Sequence, residues 1–201
     1  YIAVGAKRSK KLKIEGEDLP NVYDQLSFLY KVRSGEEFIL GNDVAIIGGG
    51  LSAVDAARTA HRIVIGKVKM IYRRTKKEMP VSADEIKALL EEGVELIELT
   101  TPVSIRQNNQ QQLFLTCLKM NLVEPDQSGR RRPVPIEGTE FEMKFDSIIT
   151  AIGQDIYMDF LPDDKLKVNP NTFETQFEKV FAGGDVLRWA DSLINAIIDV
   201  K

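Results

Sequence analysis

The stretch Val44-Ala45-Ile46-Ile47-Gly48-Gly49-Gly50-Leu51-Ser52-Ala53 decides how this chain is read. Four consecutive apolar residues mark a strand without a solvent-facing side, as in a parallel sheet covered on both faces. The strand stops at glycine, and residues 51–62 continue as an alanine-rich amphipathic helix. Strand, loop and helix fit G-x-G-x-x-A. One glycine makes the tight turn, the next lets backbone reach a pyrophosphate, and a small third residue, Ala53, lets helix and strand pack closely. The helix N-terminus adds unpaired N–H groups and the positive end of its dipole. Gly48, Gly49, Gly50, Leu51, Ser52 and Ala53 therefore read as a dinucleotide cradle.

Working outward, the pattern predicts strands at 43–47, 68–73 and 94–99, with helices at 51–62 and 82–92, a βαβαβ order that implies a parallel sheet. The second helix is well marked. Ser82 and Glu85 form a capping box, Ile86, Leu89 and Leu90 an apolar stripe, and Gly93 the stop. After Pro102 the texture becomes that of antiparallel strands, at 103–106, 113–122 and 139–145, with a turn at 124–129. Two further apolar runs, 146–152 and 180–182, end at Gly153 and at Gly183-Gly184-Asp185, where backbone can approach a ligand. The expected fold class is α/β, a Rossmann-like parallel sheet with an antiparallel β-meander.

The end of the second strand reads which dinucleotide is bound. An NAD site places an acid there, roughly 20 residues past the glycines, to accept from the ribose 2′-hydroxyl. This chain has Tyr72-Arg73-Arg74. An acid would repel a 2′-phosphate and guanidinium groups pair with it, so the expected cofactor is NADP(H). The basic clusters at Lys7, Arg8, Lys10 and Lys11 and at Arg130, Arg131 and Arg132 read as solvated turns, with docking of an acidic partner as the alternative for either. A hydrolase elbow at Ser52 is excluded, since Val54 stands where glycine is needed and the one histidine, His61, lies on the same helix. His61 reads as exposed on a polar helix face, and Cys117 as buried packing.

Composition narrows the partners. The chain has 201 residues, 43% hydrophobic and 28% charged, with 27 basic against 30 acidic side chains and a net charge of −3. That balance offers nucleic acid or an anionic membrane no general attraction. One cysteine and one histidine cannot build an intrachain disulfide, an iron-sulfur cluster or a Cys/His zinc site, so no metal is expected in this chain. No run of about 18 apolar residues occurs, and a cytoplasmic location is the expectation. Residues 1–6 read as a strand already under way and 192–201 as a helix cut short, as in a piece of a longer polypeptide.

Taken in order, several motifs resemble those of the NADPH-dependent flavin subunit of glutamate synthase and the flavin part of dihydropyrimidine dehydrogenase. They are Ile47 to Asp55 with Ala57-Arg58-Thr59-Ala60, Tyr72-Arg73-Arg74, Glu78-Met79-Pro80, Glu91-Glu92-Gly93-Val94, Gly129-Arg130-Arg131, Ala151-Ile152-Gly153-Gln154 and Phe181-Ala182-Gly183-Gly184-Asp185-Val186. The resemblance implies two dinucleotide-binding domains, with the NADPH domain inserted into an FAD domain that is incomplete here. By it, 1–33 would be the exit strand and connector of the FAD domain, 34–153 the NADPH domain and 154–201 the return segment. It further implies cofactor roles for Gly5, Gly153, Gln154, Gly184 and Asp185, with Asp185 accepting from the FAD ribityl chain and Gly184 near the flavin phosphates. Leu51 and Trp189 depart from the family pattern, Leu51 standing where many relatives carry Asn.

The function so implied is hydride transfer from NADPH to FAD, with no side-chain acid or base as a catalytic residue. Electrons would continue to an iron-sulfur or large catalytic subunit or domain, and the isolated chain is not expected to be competent. The alternative is a non-catalytic NADP(H)-sensing or docking module, against which the flavin-facing motifs count. A third reading is an ordinary Rossmann dehydrogenase acting on a small substrate.

Overall fold

The computed structural model describes residues 1–36, 38–125, 129–161, 166–188 and 193–199. In chain order its elements begin with β1 (Arg8–Ser9), β2 (Val22–Asp24), α1 (Gln25–Arg33), β3 (Val44–Ile47), α2 (Leu51–Ile63), β4 (Val68–Ile71), α3 (Ala83–Glu91) and β5 (Glu95–Ile97). They continue with β6 (Thr100–Gln107), β7 (Leu113–Pro125), β8 (Arg131–Pro135), β9 (Phe141–Phe145), β10 (Ser147–Thr150), β11 (Gln154–Asp155), α4 (Asp185–Arg188) and α5 (Leu193–Ile198), and a 3-10 turn spans Lys76–Glu78. They divide into two compact units, residues 11–152 and residues 1–10 with 153–201.

In the larger unit, β2, β10, β3, β4 and β5 form a parallel sheet in that order. Its strands are apolar on both faces because both are covered. Val44 and Ile46 of β3, Val68 and Met70 of β4 and Ile149 of β10 face a core shared with α1, α2 and α3. Ala45, Ile47, Ile71 and Ile148 face the other way, into Ile105, Leu113, Leu115, Cys117 and Phe145. Those residues belong to the antiparallel sheet, where β7 pairs with β6, β8 and β9. A second sheet thus covers the face that a doubly wound fold covers with helices.

Local chemistry explains the helix boundaries. Asp24 accepts hydrogen bonds from the N–H groups of Leu26 and Ser27 and so caps α1. The expected capping box of Ser82 and Glu85 opens α3, and Gly93 ends it at φ 96°. The third strand was expected to run to Leu99, but it stops at Ile97 because Leu99 turns the chain at φ 50° from one sheet into the other. A leucine rarely holds this left-handed conformation. Here its N–H donates to the Arg74 carbonyl at 3.1 Å, and its own carbonyl accepts from Met120 N–H at 2.8 Å.

The boundary of the larger unit also differs from the sequence expectation of 34. Residues 11–33 fold with it, because β2 pairs with β10 and Phe28 of α1 is fully buried in the helical core. Arg131 and Arg132 form β8 instead of a solvated turn, since their backbone pairs with β7. His61 is half-buried, and its Nδ1 is buried without a hydrogen-bond partner among the described residues. Cys117 is fully buried, as expected.

The smaller unit has its own core of Met158, Ala182 and Val186, packed with Ile2, Val4, Ile156, Leu166 and Leu187. Ile2 bridges Ala182 in parallel, with Ile2 N–H donating to the Phe181 carbonyl at 2.8 Å. The glycine-ended segments 2–5 and 181–184 therefore start side by side. β1 pairs antiparallel with β11, and the Arg8 guanidinium lies 5.1 Å from the centre of the Tyr157 ring. Part of the expected turn at 124–129 lies outside the described residues, as does Trp189.

Candidate functional site

The strand order reverses at β3. From β3 the chain proceeds through α2 to β4 and through α3 to β5 on one side, and β10 lies on the other. In open α/β sheets ligands bind beyond the carboxyl ends of the strands where the order reverses. At that point stand Gly48 after β3 and Ala151 after β10. They approach so closely that a Cβ on Gly48 would lie 2.1 Å from the Ala151 carbonyl oxygen, and Gly48 has φ 148°. Only glycine meets both conditions.

The three glycines have separate reasons. A Cβ on Gly49 would fall 2.4 Å from Cδ2 and Cε2 of Tyr72, whose ring lies under the loop. Around a Cβ on Gly50 there is no atom within 4 Å. Gly50 has φ −94°, which any residue adopts, so the fold itself makes no demand for glycine there.

The start of α2 fits an anion as well. Asp24 caps α1 and Ser82 caps α3, but Gly50 at the N-cap of α2 brings no side-chain hydrogen bond. Among the described residues the N-cap thus gives the N–H groups of the first turn no side-chain acceptor, at the start of a 13-residue helix. Ala53 is fully buried against the strand, Ser52 is half-buried, and Leu51 is 55% exposed at the mouth of the loop.

β4 ends at Ile71, and the next three side chains part company. Tyr72 is buried and its hydroxyl donates to the Glu78 carbonyl at 3.0 Å. Arg73 is exposed. Arg74 is only 4% exposed, and its Nε donates to the Arg131 carbonyl at 2.7 Å. Arg131 in turn holds Glu78, with Nε at 2.8 Å and a terminal guanidinium nitrogen at 2.6 Å from Oε1. Glu78 also accepts from the N–H and hydroxyl of Thr75. Burial pushes the Glu78 carboxyl up, but the hydrogen bonds from Thr75 and Arg131 outweigh it and hold the group below the usual carboxylate range. Sequence reading of the arginine pair missed this network, because Glu78 and Arg131 lie 53 positions apart.

The remaining predicted residues belong to the smaller unit. Gly5 has φ 70° with open space around a Cβ, and Asp185 opens α4 with a half-buried carboxylate. Gly184 does not offer its N–H to a phosphate, because that group donates to the buried carboxylate of Asp199 at 2.9 Å. Gly153 lies at φ 107° and accepts from Lys10 N–H, and Gln154 sits in β11 opposite Ser9. Among the described residues no group of three or more His, Cys, Asp or Glu side chains is placed to hold a metal ion, and no helix is long and apolar enough to cross a membrane.

The family model described as pyridine nucleotide-disulphide oxidoreductase matches residues 1–198. The NADP(+)-dependent formate dehydrogenase subunit beta of Moorella thermoacetica is 36% identical over 98% of this chain and 29% of its own length. The NADPH-Fe(3+) oxidoreductase subunit beta of Geobacter sulfurreducens is 40% identical over 82% of the chain and 25% of its own length. The glutamate synthase [NADPH] small chain of Escherichia coli is 30% identical over 99% of the chain and 47% of its own length. The chain thus spans less than half of each of these relatives. Its fold is that of Mycobacterium tuberculosis FprA in complex with NADPH, with a TM-score of 0.79 at 18% identity over 98% of this chain and 60% of the other.

Proposed function

Because the chain belongs to the pyridine nucleotide-disulphide oxidoreductase family, we propose that residues 11–152 bind NADP(H) and that the polypeptide carrying them is an FAD-dependent oxidoreductase of the glutamate synthase small-chain type. The observation that carries the reading is the uncapped, glycine-opened start of α2, with Arg73 exposed just beyond the end of β4. The N–H groups at 51 and 52 take the pyrophosphate, and Gly50 leaves room for it. Arg73 pairs with the adenosine 2′-phosphate, with Arg74 buried behind it as its support.

Gly5 and Asp185 of the smaller unit hold FAD, Asp185 accepting from its ribityl hydroxyls. When both cofactors are bound, their chemistry is transfer of a hydride from the nicotinamide C4 to the flavin N5. The chain's own residues bind and orient. None of them is assigned a proton to move. An iron-sulfur or large catalytic subunit or domain takes the electrons onward, by analogy with the multi-subunit names of the relatives.

The test is the full-length polypeptide, purified and mixed anaerobically with NADPH or NADH. The expected result is a flavin absorbance that NADPH bleaches much faster than NADH, a preference that Arg73→Ala reduces by roughly tenfold or more, the scale of one charge-assisted hydrogen bond. A colourless protein, or equal rates with both nucleotides, would overturn the reading.

A further inference from the structure

We propose that the β7–β8 hairpin takes part in reading the cofactor, with Arg131 and Glu78 as positioning residues for recognition of the 2′-phosphate. The proposal rests on the reading of Arg73 above. The bend at residues 72–74 is held along its backbone from one side. Tyr72 N–H donates to the Ile97 carbonyl, Thr100 N–H to the Tyr72 carbonyl and Leu99 N–H to the Arg74 carbonyl, at 2.9, 3.0 and 3.1 Å. Those bonds fix the path of the bend and leave the direction of its side chains to other contacts.

The hairpin supplies that direction. Arg74 Nε binds the Arg131 carbonyl, the Arg131 guanidinium binds Glu78, and Glu78 binds the backbone and hydroxyl of Thr75, the neighbour of Arg74. The contacts close a ring that begins and ends on adjacent residues and reaches 57 positions along the chain. Glu78 is buried and Arg131 is half-exposed, so the ring has an inner wall and a wet rim. With Arg74 drawn inward, Arg73 is left as the outward guanidinium of the pair. A long side chain that leaves a fixed bend loses less freedom when it meets a phosphate than one on a loose loop.

Every variant at 131 keeps the carbonyl that Arg74 uses, so substitution there probes the guanidinium–carboxylate lock alone. The experiment titrates the full-length polypeptide with adenosine 2′,5′-bisphosphate and with 5′-AMP, ligands that differ by the 2′-phosphate. Arg131→Ala and Glu78→Gln should each weaken the bisphosphate by roughly fivefold to tenfold, the scale of one lost charge-assisted contact. Binding of 5′-AMP should stay within about twofold, and Arg131→Lys should recover part of the loss. Should Arg131→Ala not fold, Glu78→Gln and Arg131→Lys read the same lock with little change of volume.

Each other outcome overturns the proposal. A gain of bisphosphate affinity in Glu78→Gln would make Glu78 a repelling acid. A parallel loss for both ligands would make the ring a purely structural brace, and no change for either would make it a bystander. Sensitivity of Arg73→Ala with silence at 131 and 78 would remove the lock and keep the phosphate reading. Silence of Arg73→Ala would remove that reading itself.

Discussion

The ring of Tyr72 occupies the space that a side chain on Gly49 would need, with Cγ, Cδ2 and Cε2 all within 2.8 Å of where the Cβ would stand. The middle glycine of the loop is therefore set by a residue 23 positions along the chain. Because Cγ sits close to the tyrosine backbone, rotation of the ring gives little relief. Gly49→Ala should cost about 1–3 kcal/mol as an overpacking defect. In the Gly49→Ala, Tyr72→Ala double variant the two losses should be clearly less than additive, as urea denaturation of the four proteins in a cycle would measure. Additive losses would show that the contact has no energetic weight.

Gly50 behaves in the opposite way. Its open surroundings and ordinary φ mean that Gly50→Ala should change stability by no more than about 0.5 kcal/mol. Nucleotide affinity should fall by roughly tenfold or more, because the added methyl stands where the phosphates approach. Thermal melting with and without NADPH separates the two effects. An alanine variant that still binds as the parent does would place the phosphates elsewhere.

Acid should open the hairpin ring before the rest of the sheet. The folded state holds the Glu78 carboxyl below its ordinary value, so the unfolded chain takes up the proton more readily. The stabilisation is therefore complete above the unfolded pKa, near 4.3, and is lost as pH falls through the lower folded value. The stability difference between the parent and Glu78→Gln should be constant from about pH 6 upward and should shrink below roughly pH 4. Chemical denaturation at a series of pH values checks this. A difference that widened in acid would reverse the sign.

Burial pushes the Cys117 thiol up to about 12. At pH 8 the folded protein then holds almost none of the reactive thiolate, and the sulfur is enclosed between β7 and its neighbours. An aromatic disulfide reagent should label it orders of magnitude more slowly than a free thiol, and at the ordinary rate in strong urea. Rapid labelling of the folded protein would contradict the packing of the antiparallel sheet.

What could be read from the sequence was what is local. A strand that passes into glycines and an alanine-rich helix lies within twenty consecutive residues, 44–63, and the Ser82–Glu85 box within four. The βαβαβ order, the antiparallel addition and the glycine loop between β3 and α2 followed from such signals. β8 was hidden because Arg131-Arg132-Pro133-Val134-Pro135 has the charge and prolines of a turn. In the fold it is a strand with one partner, where proline and arginine are tolerated. β2 was hidden by its three-residue length, and Tyr72 and Arg74 read as ligand contacts because sequence spacing says nothing about which side chains turn inward. The ring through Glu78 and Arg131 is a long-range contact, visible only once two segments have met.

The place of β10 beside β3 bears on the order in which the chain can fold. β3, β4 and β5 are neighbours in sequence and can pair early, but the strand that completes the crevice arrives a hundred positions after β3, from 47 to 147. Closing so long a loop is slow and is rewarded only on docking. Until Ser147–Thr150 docks, one edge of β3 is open to another chain and the glycine loop has no opposite wall. A nascent chain on the ribosome would therefore complete this sheet in a single late step, when the antiparallel sheet has already been made and can carry β10 into place.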